Sequence, residues 1–148
     1  MKKKNTTLLD ETRAERKALA EDSFISYVEL IQPKRVLGNI HREVMGWWTA
    51  SNAKSHMLLL PPRDHMKSAL VGLWTSWMLT RDPTLRISYI SSTSNLATKQ
   101  LKFIKDILTS DIYRMYWPEM VHPEEAKREK WTEREISVDH PLRKGAIS

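Results

Sequence analysis

The sequence predicts an α/β fold in which helices flank a parallel sheet, present as its amino-terminal portion and preceded by further helices. Residues 57–60 form an apolar run without polar alternation, which is typical of a strand buried on both faces. Residues 67–80 carry apolar side chains at helical spacing, and residues 86–90 read as a second strand. This strand, helix, strand order predicts a right-handed βαβ unit over residues 57–90.

Two helices are predicted ahead of this unit. The first covers residues 10–32 and ends at Pro33, which cannot continue a helix. Its apolar stripe is formed by Leu19, Phe24, Val28 and Ile31. The second starts at Asn39 and runs through Ser51, with inward-facing side chains at Val44, Trp47 and Trp48. We therefore expect a helical extension over 1–38 and the main domain over 39–148.

The segments after the first strand follow the same reasoning. The helix over 67–80 is expected to bury Leu70, Val71, Trp74 and Met78. The next helix along the chain is expected to be capped by Ser94 or Asn95 and to bury Leu96, Leu101, Ile104 and Leu108. Beyond it we expect a turn at 111–116, a charged connection over 119–134 and a third strand at 136–138.

Composition limits the classes of protein to consider. A chain of 148 residues with 41% hydrophobic content can build one domain with a core, and hardly two. It has no cysteine, so disulfides and cysteine metal sites are excluded. No run approaches the ~18 apolar residues of a membrane span. The net charge of +6 permits a polyanionic partner.

The segment between the first strand and the following helix predicts a phosphate site. Lys67 opens the helix, where a cation opposes the helix dipole unless an anion is bound. Ser68 offers a hydroxyl suited to Mg²⁺, and Arg63 a forked donor for a terminal phosphate. The alternative is a solvated lysine, with Arg63 paired to a surface carboxylate. Both interpretations stay open on these residues alone.

Residues 58–113 resemble the ATPase domain of the large terminase subunit, the DNA-packaging motor of tailed bacteriophages. A loop similar to that family's deviant Walker A motif contains Pro62, Arg63, His65, Lys67 and Ser68. The next helix contains Trp77 followed by Arg81-Asp82-Pro83, similar to a tryptophan and Arg-x-Pro run of the family. The following segment, from Ile87 to Ser92 and on to Thr93, Leu96, Ala97 and Gln100, resembles the one after the family's second strand.

The resemblance implies a P-loop NTPase fold that binds ATP and Mg²⁺. Lys67 would stabilise charge on the β- and γ-phosphates, Ser68 would ligand Mg²⁺, and Arg63 would sense the terminal phosphate. Main-chain N–H groups of residues 64–68 would form the anion nest. The nucleotide-binding set it implies is Pro62, Arg63, Asp64, His65, Met66, Lys67, Ser68 and Ala69.

Two departures from the family pattern are visible. Met66 stands where the family usually has glycine, and a positive φ there would cost about 1–2 kcal/mol. The Walker B run that ends in two acidic residues, and the nuclease domain, are not found in the 148 residues. We therefore expect the first part of a longer protein, inactive alone as an ATPase or nuclease.

The resemblance also implies partners and a place of action. The parent protein would couple ATP hydrolysis to the packaging of double-stranded DNA into procapsids. Its partners would be DNA, the portal ring, the small terminase subunit and further copies of itself in a ring, with no membrane. It would act in the host cytoplasm, at the procapsid portal.

Two other functions stay open: a helicase-like P-loop ATPase fragment, and a non-catalytic binding or structural remnant. Several residues have bland interpretations beside a functional one. An adenine contact could come from Gln32, His41 or Trp48, although packing or surface roles are favoured. Lys99, Lys102 and Lys105 could touch DNA, but a solvated face is the default. None of the five histidines has a partner at i+4 spacing, which argues against zinc, and the helical tryptophans are expected in the core.

Overall fold

The computed structural model describes residues 2–50, 52, 55–141 and 146–147, with residues 2–8 and 146 described through their main chain alone. Contacts divide the chain into two units, Met1–Lys67 and Ser68–Ser148. Helices hold 55% of the described residues and strands 5%. The predicted boundary between residues 38 and 39 is not tested by this division and stays a prediction.

The first unit contains three helices: α1 (Lys2–Asp22), α2 (Phe24–Ile31) and α3 (Asn39–Thr49). The single helix predicted over 10–32 is wrong, because Ser23 interrupts it. Ser23 has extended main-chain angles and its hydroxyl accepts a hydrogen bond from the Ser26 amide, so it caps α2. As predicted, α2 ends just before Pro33.

The buried face of the first unit is only partly the predicted one. Phe24, Val28 and Ile31 are buried, but Leu19 is 58% exposed. On α3 the buried residue is Met45, whereas Trp47 is 44% exposed and was wrongly expected in the core. The predicted end of this helix at Ser51 lies outside the described residues; the structure ends α3 at Thr49.

The second unit follows the order α4 (Lys67–Arg81), β1 (Arg86–Ile87), α5 (Ser94–Leu108), α6 (Asp111–Tyr116), β2 (Ile136–Ser137) and β3 (Ala146–Ile147). A short 3₁₀ helix covers Glu125–Lys127. The three short strands form one small sheet in the order β1-β3-β2. β1 pairs with β3 in parallel, Ile87 opposite Ile147, and β2 pairs with β3 in antiparallel register, Ile136 opposite Ile147.

The mostly helical content and the short strands overturn the predicted fold class. A parallel-sheet P-loop NTPase fold needs a platform of longer strands, and strands here are two residues each. Residues 57–60 form no strand in the described chain, and Leu58 and Leu60 are 77% and 80% exposed. An apolar run favours burial, but it becomes a central strand only with hydrogen-bonding neighbours on both sides. The predicted βαβ unit is therefore absent.

The bounds of helices α4 and α5 were predicted more accurately, although Leu96 of α5, which was expected to be buried, is 51% exposed. Both start at or next to the predicted residue, and Thr93 caps α5 by accepting a hydrogen bond from the Leu96 amide. On α4 Leu70 is buried as predicted, whereas Val71, Trp74 and Met78 are half-buried. The other deeply buried apolar side chains of this helix are Leu73, Trp77 and Leu79. The expected turn at 111–116 is instead the helix α6, which Ser110 caps.

The core of the second unit is built mainly by the three helices α4, α5 and α6 and by strands β2 and β3. Its fully buried members include Leu73, Ile104, Leu108, Tyr113, Ile136 and Ile147. Helices α4 and α5 approach closely at Gly72, where an added Cβ would lie 2.6 Å from the Phe103 ring. None of the helices in the described residues combines the length and apolar character needed to cross a bilayer.

Candidate phosphate-binding loop

The loop between the exposed 57–60 segment and α4 has a tight main chain. Asp64 has φ 64° and Met66 has φ 54°, both in the left-handed region. These are the non-glycine residues with positive φ among those the structure describes. Left-handed residues that alternate with residues of negative φ turn successive amides toward one side, which is the arrangement of an anion nest.

His65 sits between these two left-handed residues and is held by its own loop. Its Nδ1 lies 2.8 Å from the main-chain oxygen of Arg63. Because a carbonyl can only accept, Nδ1 carries the hydrogen, and a neutral imidazole then presents Nε2 as an acceptor. The contact closes the turn from Arg63 to His65, so His65 has a structural role in shaping the loop.

Helix α4 begins at Lys67, directly after the second left-handed residue. Its first turn contains no acidic side chain, and the preceding carboxylate nearest in sequence is that of the exposed Asp64 in the loop. Amides at the start of a helix have no partner within the helix and are available to an anion. The local main chain therefore suits a phosphate group.

The functional side chains predicted for the loop are accessible. Arg63, Asp64, Lys67 and Ser68 are exposed, as is Pro62. The loop residues His65 and Met66 are half-buried, as is Ala69 in the first turn of α4. Adjacency in sequence alone brings Lys67 and Ser68 together at the start of the helix. The assigned roles of the predicted set stay predictions.

Magnesium coordination finds less support than phosphate binding. The hydroxyl of Ser68 is exposed and fits the single protein ligand that Mg²⁺ often takes beside nucleotide phosphates and water. Across the described residues, however, no group of three or more histidine, aspartate or glutamate side chains could hold a metal ion. The described chain thus offers the exposed Ser68 and no cluster of metal-binding side chains, and we derive no hydrolytic step from it.

One polar residue reaches the start of α4 from another helix. The side-chain amide of Gln100, on α5, donates a hydrogen bond of 2.7 Å to the main-chain oxygen of Ser68. The sequence signal for it is a polar residue four positions from both Leu96 and Ile104, on the apolar face of an amphipathic helix. No role for Gln100 in the loop was predicted.

The candidate adenine contacts are engaged locally. His41 accepts a hydrogen bond from the Gly38 amide through Nδ1, at 3.0 Å, and thereby caps α3. Gln32 accepts a hydrogen bond from the Arg35 side chain and lines a cavity of about 580 Å³ in the first unit. Trp48 is half-buried. None of these observations assigns an adenine contact.

The lysines of α5 separate into two kinds. Lys99 and Lys102 are exposed. Lys105 instead donates a hydrogen bond to the main-chain oxygen of Thr132, at 3.3 Å, and its amine lies 5.4 Å from the Trp131 ring. Lys105 is therefore tied into the second unit, and the predicted row of lysines is not a uniform charged face.

Comparison of the chain with protein-family models, with curated proteins and with solved structures gives no match. The resemblance to terminases thus rests on the motif residues themselves, and every function that it implies belongs to the proposals that follow.

Proposed function

We propose that the loop and helix start over residues 62–69 bind the phosphates of ATP, and that the chain is the ATP-binding part of a phage terminase large subunit. The parent protein would couple ATP hydrolysis to the packaging of double-stranded DNA. The proposal rests on the loop and its motif residues, because the sheet that usually supports such a loop is missing from the described chain.

The observation that carries the proposal is the main-chain conformation of Met66. Its φ of 54° is the conformation that favours glycine, and the family pattern has glycine at this position. A methionine there costs about 1–2 kcal/mol, and such strain persists only where surrounding structure imposes it. Strained main chain of this kind gathers at ligand-binding sites. The conformation supports a loop shaped for phosphate despite the unfavourable residue.

The side chains around Met66 have complementary chemistry. Lys67 supplies a cation at the helix start, where its charge opposes the helix dipole until an anion binds. Arg63 supplies a planar pair of donors suited to phosphate oxygens, and Ser68 a hydroxyl suited to Mg²⁺. We propose that Lys67 holds the β- and γ-phosphates and that Arg63 contacts the terminal one. Bound MgATP would supply the phosphate anhydride that the parent motor cleaves.

The partners follow from the same proposal. The chain would act with double-stranded DNA, the portal ring, the small terminase subunit and further copies of itself in a ring, at the procapsid portal in the host cytoplasm. A net charge of +6 supports association with a polyanion without selecting DNA over other polyanions.

A second candidate function is a non-catalytic binding or structural role. The observation that favours it is the exposure of Leu58 and Leu60, because the segment before the loop has no strand partners among the described residues. Without a fixed strand on one side, the loop would not hold phosphate, and the chain would neither bind nor hydrolyse ATP.

Separate measurements of ATP binding and ATP turnover distinguish the two. We expect the wild-type chain to bind ATP more tightly with Mg²⁺ than with EDTA, and Ser68→Ala to reduce this difference. Binding without phosphate release supports the ATP-binding part of a motor. Absence of binding with and without Mg²⁺ supports the non-catalytic role and refutes the first candidate.

A further inference from the structure

Gln100 is one of the buried polar residues of the second unit. It lies in the middle of α5 and is 8% exposed, in line with the buried Ile104 one turn later. A buried amide without partners is costly, so its hydrogen bonds indicate what the residue does. The partner of its Nε2 is the main-chain oxygen of Ser68, at 2.7 Å and 32 residues away in sequence.

The position of that oxygen matters for the loop. Ser68 lies in the first turn of α4, where the helix geometry pairs its carbonyl with the amide of Gly72. Gln100 therefore adds a second donor to a carbonyl in a terminal turn of the helix, and helix ends fray. The bond fixes this turn to α5, beside the residue proposed to ligand Mg²⁺.

The packing around the bond leaves little room for an alternative arrangement. A Cβ added at Gly72 would lie 2.8 Å from Nε2 of Gln100 and 2.6 Å from Cδ1 of Phe103. The main chain of α4 thus passes close to the Gln100 amide, and a side chain at position 72 would require Gln100 or Phe103 to shift. The amide is enclosed between the first turn of α4 and its own helix.

We propose that Gln100 is a positioning residue that holds the first turn of α4 in the geometry required for nucleotide binding. The inference rests on the proposed function, since it assigns Gln100 a role in the same phosphate site. Gln100 acts through the Ser68 carbonyl and does not touch the nucleotide. Its contribution should be greatest for the Mg²⁺-dependent part of the affinity, because Ser68 carries the proposed metal ligand.

Two substitutions remove the donor in different ways. Gln100→Leu keeps approximate volume without polarity, and Gln100→Glu keeps the shape but places an acceptor against the Ser68 carbonyl. Thr80→Val is the matched control, because Thr80 is also 8% exposed and lies at the opposite end of α4. It donates to the oxygen of Ser76 and shares a hydrogen bond with Tyr113.

Two readouts are measured on the full chain. The first is the dissociation constant for ATP with Mg²⁺ and with EDTA. The second is the exchange rate of the Gly72 amide by NMR. We expect both Gln100 variants to weaken MgATP binding by about tenfold, with a smaller loss in EDTA, and to accelerate exchange at Gly72. Thr80→Val should lower the melting temperature comparably and change neither readout.

The outcomes separate this inference from the proposed function. If the wild type binds MgATP and the Gln100 variants bind equally well, the positioning role is wrong and the proposed function stands. If the wild type does not bind, the proposed function and the positioning role in nucleotide binding are both refuted. Faster Gly72 exchange would then show only that Gln100 stabilises α4. Equal weakening by Thr80→Val would reduce the effect to general stability and overturn the inference.

Discussion

Thr80 and Tyr113 share a hydrogen bond of 2.6 Å between their hydroxyl groups inside the second unit. Tyr113 is fully buried and Thr80 is 8% exposed, so neither hydroxyl can rely on water. The Thr80 hydroxyl also donates to the main-chain oxygen of Ser76, at 2.7 Å, which leaves Tyr113 as the donor to Thr80. This pair joins α4 to α6.

We expect Thr80→Val to lower the free energy of unfolding by about 1–3 kcal/mol, because it removes a buried hydroxyl that donates to Ser76 and accepts from Tyr113. Tyr113→Phe should cost less, since the Thr80 hydroxyl keeps Ser76 as an acceptor. The double variant should lose less than the sum of the single losses. Urea unfolding of the four proteins measures the coupling, and strict additivity would show that the two hydroxyls do not interact.

We expect substitution by alanine to have opposite effects on stability at Gly72 and at Gly46. Gly72→Ala should destabilise the chain by about 1–3 kcal/mol, because its Cβ would meet the Phe103 ring. Gly46→Ala should be stabilising by up to about 1 kcal/mol, since α3 offers open space there and alanine favours the helix. Thermal unfolding tests both, and a tolerated Gly72→Ala would rule out the close approach of α4 and α5.

The strain at Met66 predicts a gain from glycine. Met66→Gly should stabilise the chain by roughly 0.5–1 kcal/mol, because relief of the left-handed conformation exceeds the entropy that glycine adds to the unfolded state. Met66→Ala keeps the Cβ and should give no gain. Asp64→Gly should gain less, since aspartate tolerates the left-handed region better. Chemical unfolding of the three variants provides the comparison, and an equal loss in all of them would contradict a positive φ at Met66.

Trp131 lies beside two cations. The guanidinium carbon of Arg128 is 4.5 Å from the ring centroid, and the Lys105 amine is 5.4 Å away. Burial lowers the pKa of Arg128, and the nearby Arg114 charge lowers it further, so the fold holds this cation at a cost that the ring partly offsets. Trp131→Leu should therefore destabilise by about 1–2 kcal/mol.

The control for this substitution is Trp47→Leu. Trp47 is 44% exposed, and we expect a change within about 0.5 kcal/mol. Denaturant titration followed by circular dichroism avoids the loss of fluorescence that removal of a tryptophan causes. If the two variants lose the same stability, the stacked cations do not contribute.

The sequence predicted helices well where local signals agree. α4 and α5 combine helical periodicity with a clear start, and α2 ends before Pro33 as expected. The apolar periodicity continues across Ser23 and therefore does not reveal the break. The Ser23 side chain accepts a hydrogen bond from a main-chain amide and so starts a new helix instead of continuing the first. The sequence does not distinguish α6 from a turn, because six residues are too few to show helical periodicity.

The sheet was mispredicted because strand formation depends on partners that the local sequence does not specify. Residues 57–60 have the composition of a buried strand, but they pair with no strand among the described residues. By contrast, Arg86–Ile87 pairs with Ala146–Ile147, a segment distant in sequence. For the loop, the sequence predicted roles for Lys67 and Ser68, which stay predictions, and it raised the question of φ at Met66, which is positive in the structure. The hydrogen bond from Gln100 to Ser68 depends on how α4 and α5 pack, which the local sequence does not specify.

Calorimetric titration of MgATP into the wild type and the Lys67→Ala variant tests directly whether the loop binds phosphate. Lys99→Ala is the matched control, since Lys99 is an exposed lysine on α5, outside the loop. We predict saturable binding by the wild type and by Lys99→Ala, and a loss of at least roughly tenfold in affinity for Lys67→Ala. Absence of saturable binding by the wild type, or equal affinity in all three proteins, would contradict the proposal.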